Sequence, residues 1–272
     1  MTVIGTNSAS LRAANASNAA SKMLATSMER LSTGKRINGA KDDAAGLAIA
    51  SSMTSSIRGM NQGIRNANDG ISMAQTAEGA LGEVTNMLQR IRELSVQSAS
   101  GTYSDDDRAN LQTEVTALTG QITSILDNTS FNGVKLFTGD AGDAGKVTIQ
   151  TGSSASDTVE LDFSELDLTD ATAIDISAAA DASDALETID TALTTVNTAR
   201  ASLGAGQSQL ESVVNNLTSN VENVSDARSR IEDADYSSET AALAKAQILS
   251  QASTAMLSQA NQSQQGVLKL LG

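Results

Sequence analysis

The stretch MTSSIRGMNQGIRNANDGISMAQTAEGALGEVTNMLQRI, residues 53–91, decides the architecture. Apolar residues fall at Ile57, Met60, Ile64, Ala67, Ile71 and Ala74, and after one shorter step to Ala77 again at Leu81, Val84, Leu88 and Ile91. Alternating steps of three and four make a heptad seam, the pattern of a helix that buries one stripe against other helices. If residues 46–100 form one helix, its length at 1.5 Å per residue is roughly 80 Å, which predicts an elongated molecule.

Working outward, two more stripes follow the same rule. Leu111, Val115, Leu118, Ile122 and Ile125 form a short one, and Ser104 to Asp107 ahead of it read as an N-cap with acids in the first turn. The third runs from Leu186 through Ile189, Leu193, Val196 and Leu203 to Leu210, Val213, Leu217, Val221 and Val224. Between these stripes the texture changes. Phe131-Asn132-Gly133 is turn chemistry, and Val147 to Ile149 with Val159 to Phe163 alternate as strands around a Gly/Ser loop at 152–156, predicting a β-hairpin. The fold class is therefore mainly α: an antiparallel helical bundle or coiled coil with a small β-hairpin.

Both chain ends carry narrow stripes flanked by polar residues. Leu11, Leu24, Met28 and Leu31 make one, and Leu243, Ile248, Leu249 and Met256 make the other, closing with Val267, Leu268 and Leu271. Such helices bury too little area alone to offset an ordering cost of about 1 to 2 kcal/mol per residue. They are expected to be disordered in a lone chain and to pair as a coiled coil in a polymer. Glycines at 59, 63, 70, 79 and 82 sit inside the longest stripe, each costing about 0.8 to 1 kcal/mol relative to alanine, so either backbones approach closely there or neighbouring subunits stabilise the helix.

Composition narrows the function. The chain of 272 residues has no His, Cys, Pro or Trp, and 42 of its residues are Ala. Without imidazole or thiol, the common proton shuttles, thiol nucleophiles and thiolate metal sites are excluded. No catalytic residue, metal site or cofactor is predicted: Asp42-Asp43 and Asp105 to Asp107 lack further ligand-type residues at suitable spacing. Gly204-Ala205-Gly206 lacks the Lys-Ser/Thr of a phosphate loop and is expected to break or bend a helix. Arg228 and Arg230 beside Glu232 and Asp233 are expected to form an ion-pair network.

The net charge of −14 opposes nucleic-acid binding. Residues 137–190 hold 13 acidic side chains against the single Lys146, so this segment should face water. No apolar run is long enough to span a bilayer, residues 246–268 hold no Lys or Arg to favour a membrane surface, and the first residues lack a secretory signal pattern.

The runs LSTGKRIN (31–38), KDDAAGLAIA (41–50), RNANDGIS (65–72), TAEGAL (76–81), LQRIRELSVQ (88–97), FNG (131–133), SDARSRIEDADY (225–236) and QANQ (259–262) resemble, in order, the signatures of bacterial flagellins. The resemblance covers roughly 1–137 and 185–272. It implies a filament subunit with an inner domain, D0, at 1–44 and 235–272, and a helical domain, D1, at 45–137 and 185–234. Residues 138–184 then have room for a hairpin and an acidic connector, a short form lacking the outer D2 and D3 domains. It further implies a non-enzymatic structural protein of the extracellular flagellum, secreted through type III export. Implied partners are copies of itself, an export chaperone, the cap, hook-associated junction proteins, and host Toll-like receptor 5 through Arg90, Leu94 and Glu114. The rivals are a hook-filament junction protein and a signalling coiled-coil hairpin.

Overall fold

A computed structural model describes residues 6–269. The chain divides into two compact units, one of residues 1–55 and 222–272 and the other of residues 56–221. The helices are α1 (Ser8–Thr33), α2 (Ala44–Ala99), α3 (Asp105–Asn128), α4 (Thr169–Thr172), α5 (Ala179–Glu232) and α6 (Tyr236–Lys269). Four short strands, β1 (Ser130–Phe131), β2 (Val134–Lys135), β3 (Lys146–Gln150) and β4 (Thr158–Asp162), form two antiparallel hairpins.

In the unit of residues 56–221 the three expected stripes meet in one core. Ala67, Leu81, Val84, Leu88 and Ile91 of α2 are fully buried with Val115 and Ile122 of α3 and Ile189, Val196, Leu203 and Leu210 of α5. The start of α3 is a capping box: Ser104 Oγ accepts from Asp107 N, and Ser104 N donates to the Asp107 carboxylate. The Ser104 hydroxyl, then its backbone N–H, holds the Asp107 carboxyl below its ordinary 3.8. The acids here are helix-start chemistry.

The glycines of α2 form a seat for the β3–β4 hairpin. A Cβ at position 63 would lie 2.0 Å from the Thr151 carbonyl oxygen, and one at 59 would lie 2.8 Å from Ser153 Cβ. Asn66 Nδ2 donates to Gln150 O at 2.9 Å, and Ile149 packs over Gly70. The helix gives up propensity at these positions so that strand backbone can touch helix backbone. Gly79 and Gly82 have open space around them, so the same explanation does not extend to them. At 204–206 the expected break is absent. Helix α5 runs through without interruption, and Gly206 instead admits the Leu161 side chain from β4, which a Cβ would meet at 2.5 Å. A close approach explains that glycine where backbone bending does not.

The acidic segment after β4 is tied down by its apolar residues. Phe163, Leu168, Ala171, Ile174 and Ile176 are buried, while the carboxylates between them remain outside. Three Asp-apolar-Ser/Thr triplets fix this alternation, with Asp162, Asp167 and Asp175 accepting from the N–H groups of Ser164, Thr169 and Ser177. The far end is clamped by α3: Gln112 Oε1 accepts from Ile176 N at 2.7 Å and its Nε2 donates to Ile174 O at 3.1 Å. Ser98 Oγ donates to Ile176 O at 2.6 Å.

Beside this clamp Arg108 is 5% exposed and donates to the carbonyls of Ser100 and Tyr103 at 3.0 and 3.1 Å. It ties together the turn that ends α2. Arg108→Met keeps much of the volume but strips those buried carbonyls of their donor. We expect a stability loss of about 3 kcal/mol in denaturant unfolding, and a loss below a few tenths would show the network to be idle.

Candidate polymerisation surfaces

In the unit of residues 1–55 and 222–272, α1 and α6 pack antiparallel. Asn7 Nδ2 reaches Ala260 O at 3.1 Å at one end of the pair, and Arg30 meets Glu239 at 3.7 Å near the other. The seam follows heptad positions on both helices: Ala13, Ser17, Ala20, Leu24, Ser27 and Leu31 face Leu243, Ala246, Ser250, Ser253, Leu257 and Ala260. Its buried members are Ala20, Ser27, Ala246 and Ser253, all small.

Small residues let the helices approach but contribute little apolar area. Ala and Ser bring at most one methyl or hydroxymethyl group each, against roughly 1.5 to 3 kcal/mol for burying a Leu, Ile or Met side chain. Several large side chains of the pair stay outside the seam. Leu11 is 59% exposed, Met28 57%, Ile248 66% and Met256 63%, with Leu249 also exposed. On α6 Ile248 lies on the face opposite the seam, while Leu249 and Met256, one heptad apart, flank it, Met256 lining a shallow groove with Ala9, Arg12 and Ala13 of α1.

The expected contact residues thus divide. Leu24, Leu31 and Leu243 are half-buried in the seam, whereas Leu11, Met28, Ile248, Leu249 and Met256 face outward. Val267 and Leu268 fall in the last turns of α6, but their side chains, like all of Leu271, lie outside the described residues. Met23, 46% exposed, belongs with the outward set, and hydrophobicity alone could have marked it.

The same unit joins two of the sequence signatures that lie about 200 residues apart in the chain. Arg36 N donates to Glu232 O, Ala234 N donates to Gly34 O, and Tyr236 Oη donates to Leu31 O. Gly34 takes a left-handed φ of 73° to end α1 and turn the chain into this pairing. Arg228 and Arg230 make no ion pair among the described residues, contrary to expectation. Glu232 pairs with Lys35 instead, while Arg228 donates to Thr54 Oγ1, because the returning 34–38 segment brings a closer cation.

In the other unit Arg90 bridges to Glu114 at 2.8 Å and to Glu93 at 3.0 Å, joining α2 to α3 on an exposed face. The Glu114 hydrogen bond, then that of Glu93, raises the Arg90 guanidinium above its ordinary value. Leu94 lies beneath, 1% exposed and packed into the core. Among the described residues no group of acids could hold a metal ion, and no helix is long and apolar enough to cross a membrane.

Comparison with known proteins gives a consistent picture. The family profile for the bacterial flagellin N-terminal helical region matches residues 4–141, and that for the C-terminal helical region matches 186–271. Over 164 residues, 60% of this chain, it is 50% identical to a flagellin of Salmonella muenchen, and over 158 residues, 58% of the chain, it is 52% identical to the B-type flagellin of Pseudomonas aeruginosa. The matched region spans 32% of each relative, so this chain covers about a third of their length. The crystal structure of Bacillus cereus flagellin aligns with a TM-score of 0.52 at 32% identity, covering 60% of this chain and 94% of that one. A putative flagellar hook-associated protein from Vibrio parahaemolyticus shares the fold, with a TM-score of 0.61 at 17% identity, covering 71% of this chain and 100% of that one.

Proposed function

The chain belongs to the bacterial flagellin family, and from that membership we propose that it is a structural subunit that polymerises into the filament of the flagellum. The observation that carries this is the terminal pair, whose most buried seam residues are Ala and Ser, with leucines only half-buried between them, while Leu11, Met28, Ile248 and Met256 are mostly exposed. A two-helix unit built this way gains most of its apolar burial from neighbours, so folding and assembly are coupled. Contacts between unlike patches that do not close generate an open helix from one kind of subunit.

In this reading 1–44 with 235–272 act as D0, and 45–137 with 185–234 as D1. Residues 138–184, which hold the β3–β4 hairpin and the anchored acidic segment, stand where longer relatives continue into outer domains. The subunit is structural, not enzymatic. It is exported to the cell exterior, and its ends are the segments an export chaperone covers and the cap and hook-junction proteins contact. Toll-like receptor 5 would meet the Arg90–Glu114 pair, with Leu94 supporting it from below. A signalling coiled coil requires heptads mirrored about a tip. The two hairpins and the inserted segment argue against it.

Electron microscopy of the purified chain at rising concentration tests the proposal. Helical tubes should appear above a critical concentration. A protein that stays dispersed at every concentration and salt condition, even with preformed seeds, would remove it.

A further inference from the structure

Asn-Gly is the dipeptide that most readily closes a succinimide ring, because glycine carries no side chain to shield its nitrogen, and this chain has it twice, at 38–39 and 132–133. The two sites have opposite surroundings. Asn132 and Gly133 are the two loop residues of the β1–β2 hairpin, with φ of 50° and 82°, the left-handed pair of a type I′ turn. Both are exposed, and nothing lies within 4 Å of where a Gly133 Cβ would be. Neither the Asn132 side chain nor the Gly133 N–H has a hydrogen-bond partner among the described residues. Asn38 and Gly39 are half-buried and bound. The Asp42 carboxylate accepts from Asn38 N at 3.1 Å and from Gly39 N at 3.2 Å, Asn38 Nδ2 donates to Lys35 O at 3.0 Å, and Asp42 N donates to Gly39 O at 3.0 Å.

We propose that Asn132 is a site of spontaneous deamidation and isoaspartate formation in the folded chain, and that Asp42 keeps Asn38 from the same reaction. The Gly133 nitrogen gives up its proton to solvent base and bonds to Asn132 Cγ, the Cγ–Nδ2 bond breaks, and Nδ2 leaves as ammonia with a proton taken from water. Water then opens the ring. Cleavage between the ring nitrogen and Cγ gives aspartate, and cleavage between the ring nitrogen and the Asn132 main-chain carbonyl carbon gives isoaspartate. The left-handed backbone at Asn132 holds the Gly133 nitrogen anti to Cβ, so the ring closes only when the turn opens. The ladder to be opened is short: Ser130 pairs with Lys135 and Phe131 with Val134, and beyond them Leu136 N donates to Thr129 O. A two-stranded hairpin of that size is marginal and opens often. At 38–39 the bonds made by Asp42 and Lys35 must break first, and the Asp42 charge opposes loss of the Gly39 proton. Isoaspartate lengthens the loop by one main-chain carbon and sets a carboxylate close to Val134, so the two-residue turn no longer holds the Phe131–Val134 pair in register. The reaction needs only the folded unit of residues 56–221 and is independent of the filament reading.

The full-length chain is aged for days at neutral pH, once folded and once unfolded in urea, and its peptides are sequenced by electron-transfer mass spectrometry, which separates isoaspartate from aspartate. The unfolded chain should convert at both sites at similar rates. The folded chain should convert at Asn132 at least about tenfold faster than at Asn38, and the aged fraction should lose hydrogen-exchange protection across 130–136. Asp42→Ala should raise the Asn38 rate toward that of Asn132 and leave the Asn132 rate unchanged, with circular dichroism checking that helix content is retained. A folded wild-type chain that converts at Asn38 as fast as at Asn132, or at neither site while the unfolded chain converts at both, overturns the proposal. An Asp42→Ala chain that keeps its helices and still converts Asn38 no faster than the wild type overturns the part given to Asp42.

Discussion

Removing residues 1–44 and 235–272 leaves a chain that forms no filament at any accessible concentration, while the unit of residues 56–221 keeps its helices. The core of that unit, from Leu81, Leu88 and Ile91 to Ile189 and Leu210, is built from residues that are kept. What is lost is the outward apolar surface of α1 and α6. The finer form of the experiment changes two side chains only. Ile248 and Met256 are each more than 60% exposed, so Ile248→Asp with Met256→Asp disturbs little within the lone pair of helices. In the proposed polymer the same positions would be buried. Each loses about 2 kcal/mol of burial and adds the cost of desolvating a carboxylate, so the critical concentration should rise at least about a thousandfold. Circular dichroism checks that helix content is retained, and sedimentation reads assembly. A doubly charged variant that sediments like the wild type would show that this face is not a subunit contact, and a truncated chain that still makes tubes would remove the whole assignment.

Gly63→Val should unseat the β3–β4 hairpin. The Thr151 carbonyl oxygen and carbon would lie 2.0 and 2.5 Å from the new Cβ, and both are backbone atoms that cannot rotate away. Either the strand end lifts from α2 or the helix distorts, and the hairpin has the fewer anchors. Asn66 would lose its hydrogen bond to Gln150 O, and Ile149 its place over Gly70. The expected cost is about 3 kcal/mol or more, in the range of backbone clashes in a packed site. It should be read as lost hydrogen-exchange protection across 147–150 and 158–162 and as protease cutting within 152–156. The comparison is Gly79→Ala, where nothing lies within 4 Å of the new methyl group. There helix propensity acts alone and stability should rise by about 1 kcal/mol. If Gly63→Val keeps full hairpin protection, the seat is not a close backbone contact.

The same glycines show where sequence reasoning reached its limit. Periodicity located the long helices and their buried stripes, because a heptad is a local property of the chain and any helix built on it must hide that side. The cap at Ser104 and Asp107, the turn at Asn132-Gly133 and the β3–β4 pairing were likewise local. The cost of the α2 glycines could be counted, but what approached them could not be named, since the answer lies more than 80 residues away at Thr151 and Ser153. For the same reason Gly206 looked like a break until Leu161 was seen to fill its place. Lys35, not Arg228 or Arg230, supplies the partner of Glu232.

Sequence by itself determined that the chain is helical, that it carries a hairpin between its second and third long stripes, and that its ends have narrow apolar stripes. Only the tertiary structure decided which residues of those ends look inward. Leu24, Leu31 and Leu243 lie with alanines and serines along the seam, and Leu11, Met28, Ile248, Leu249 and Met256 are left outside. A hydrophobic stripe states that a surface must be buried. Which surface buries it depends on the approach and register of a second helix, and those are set by packing across the whole pair rather than by neighbours in the chain.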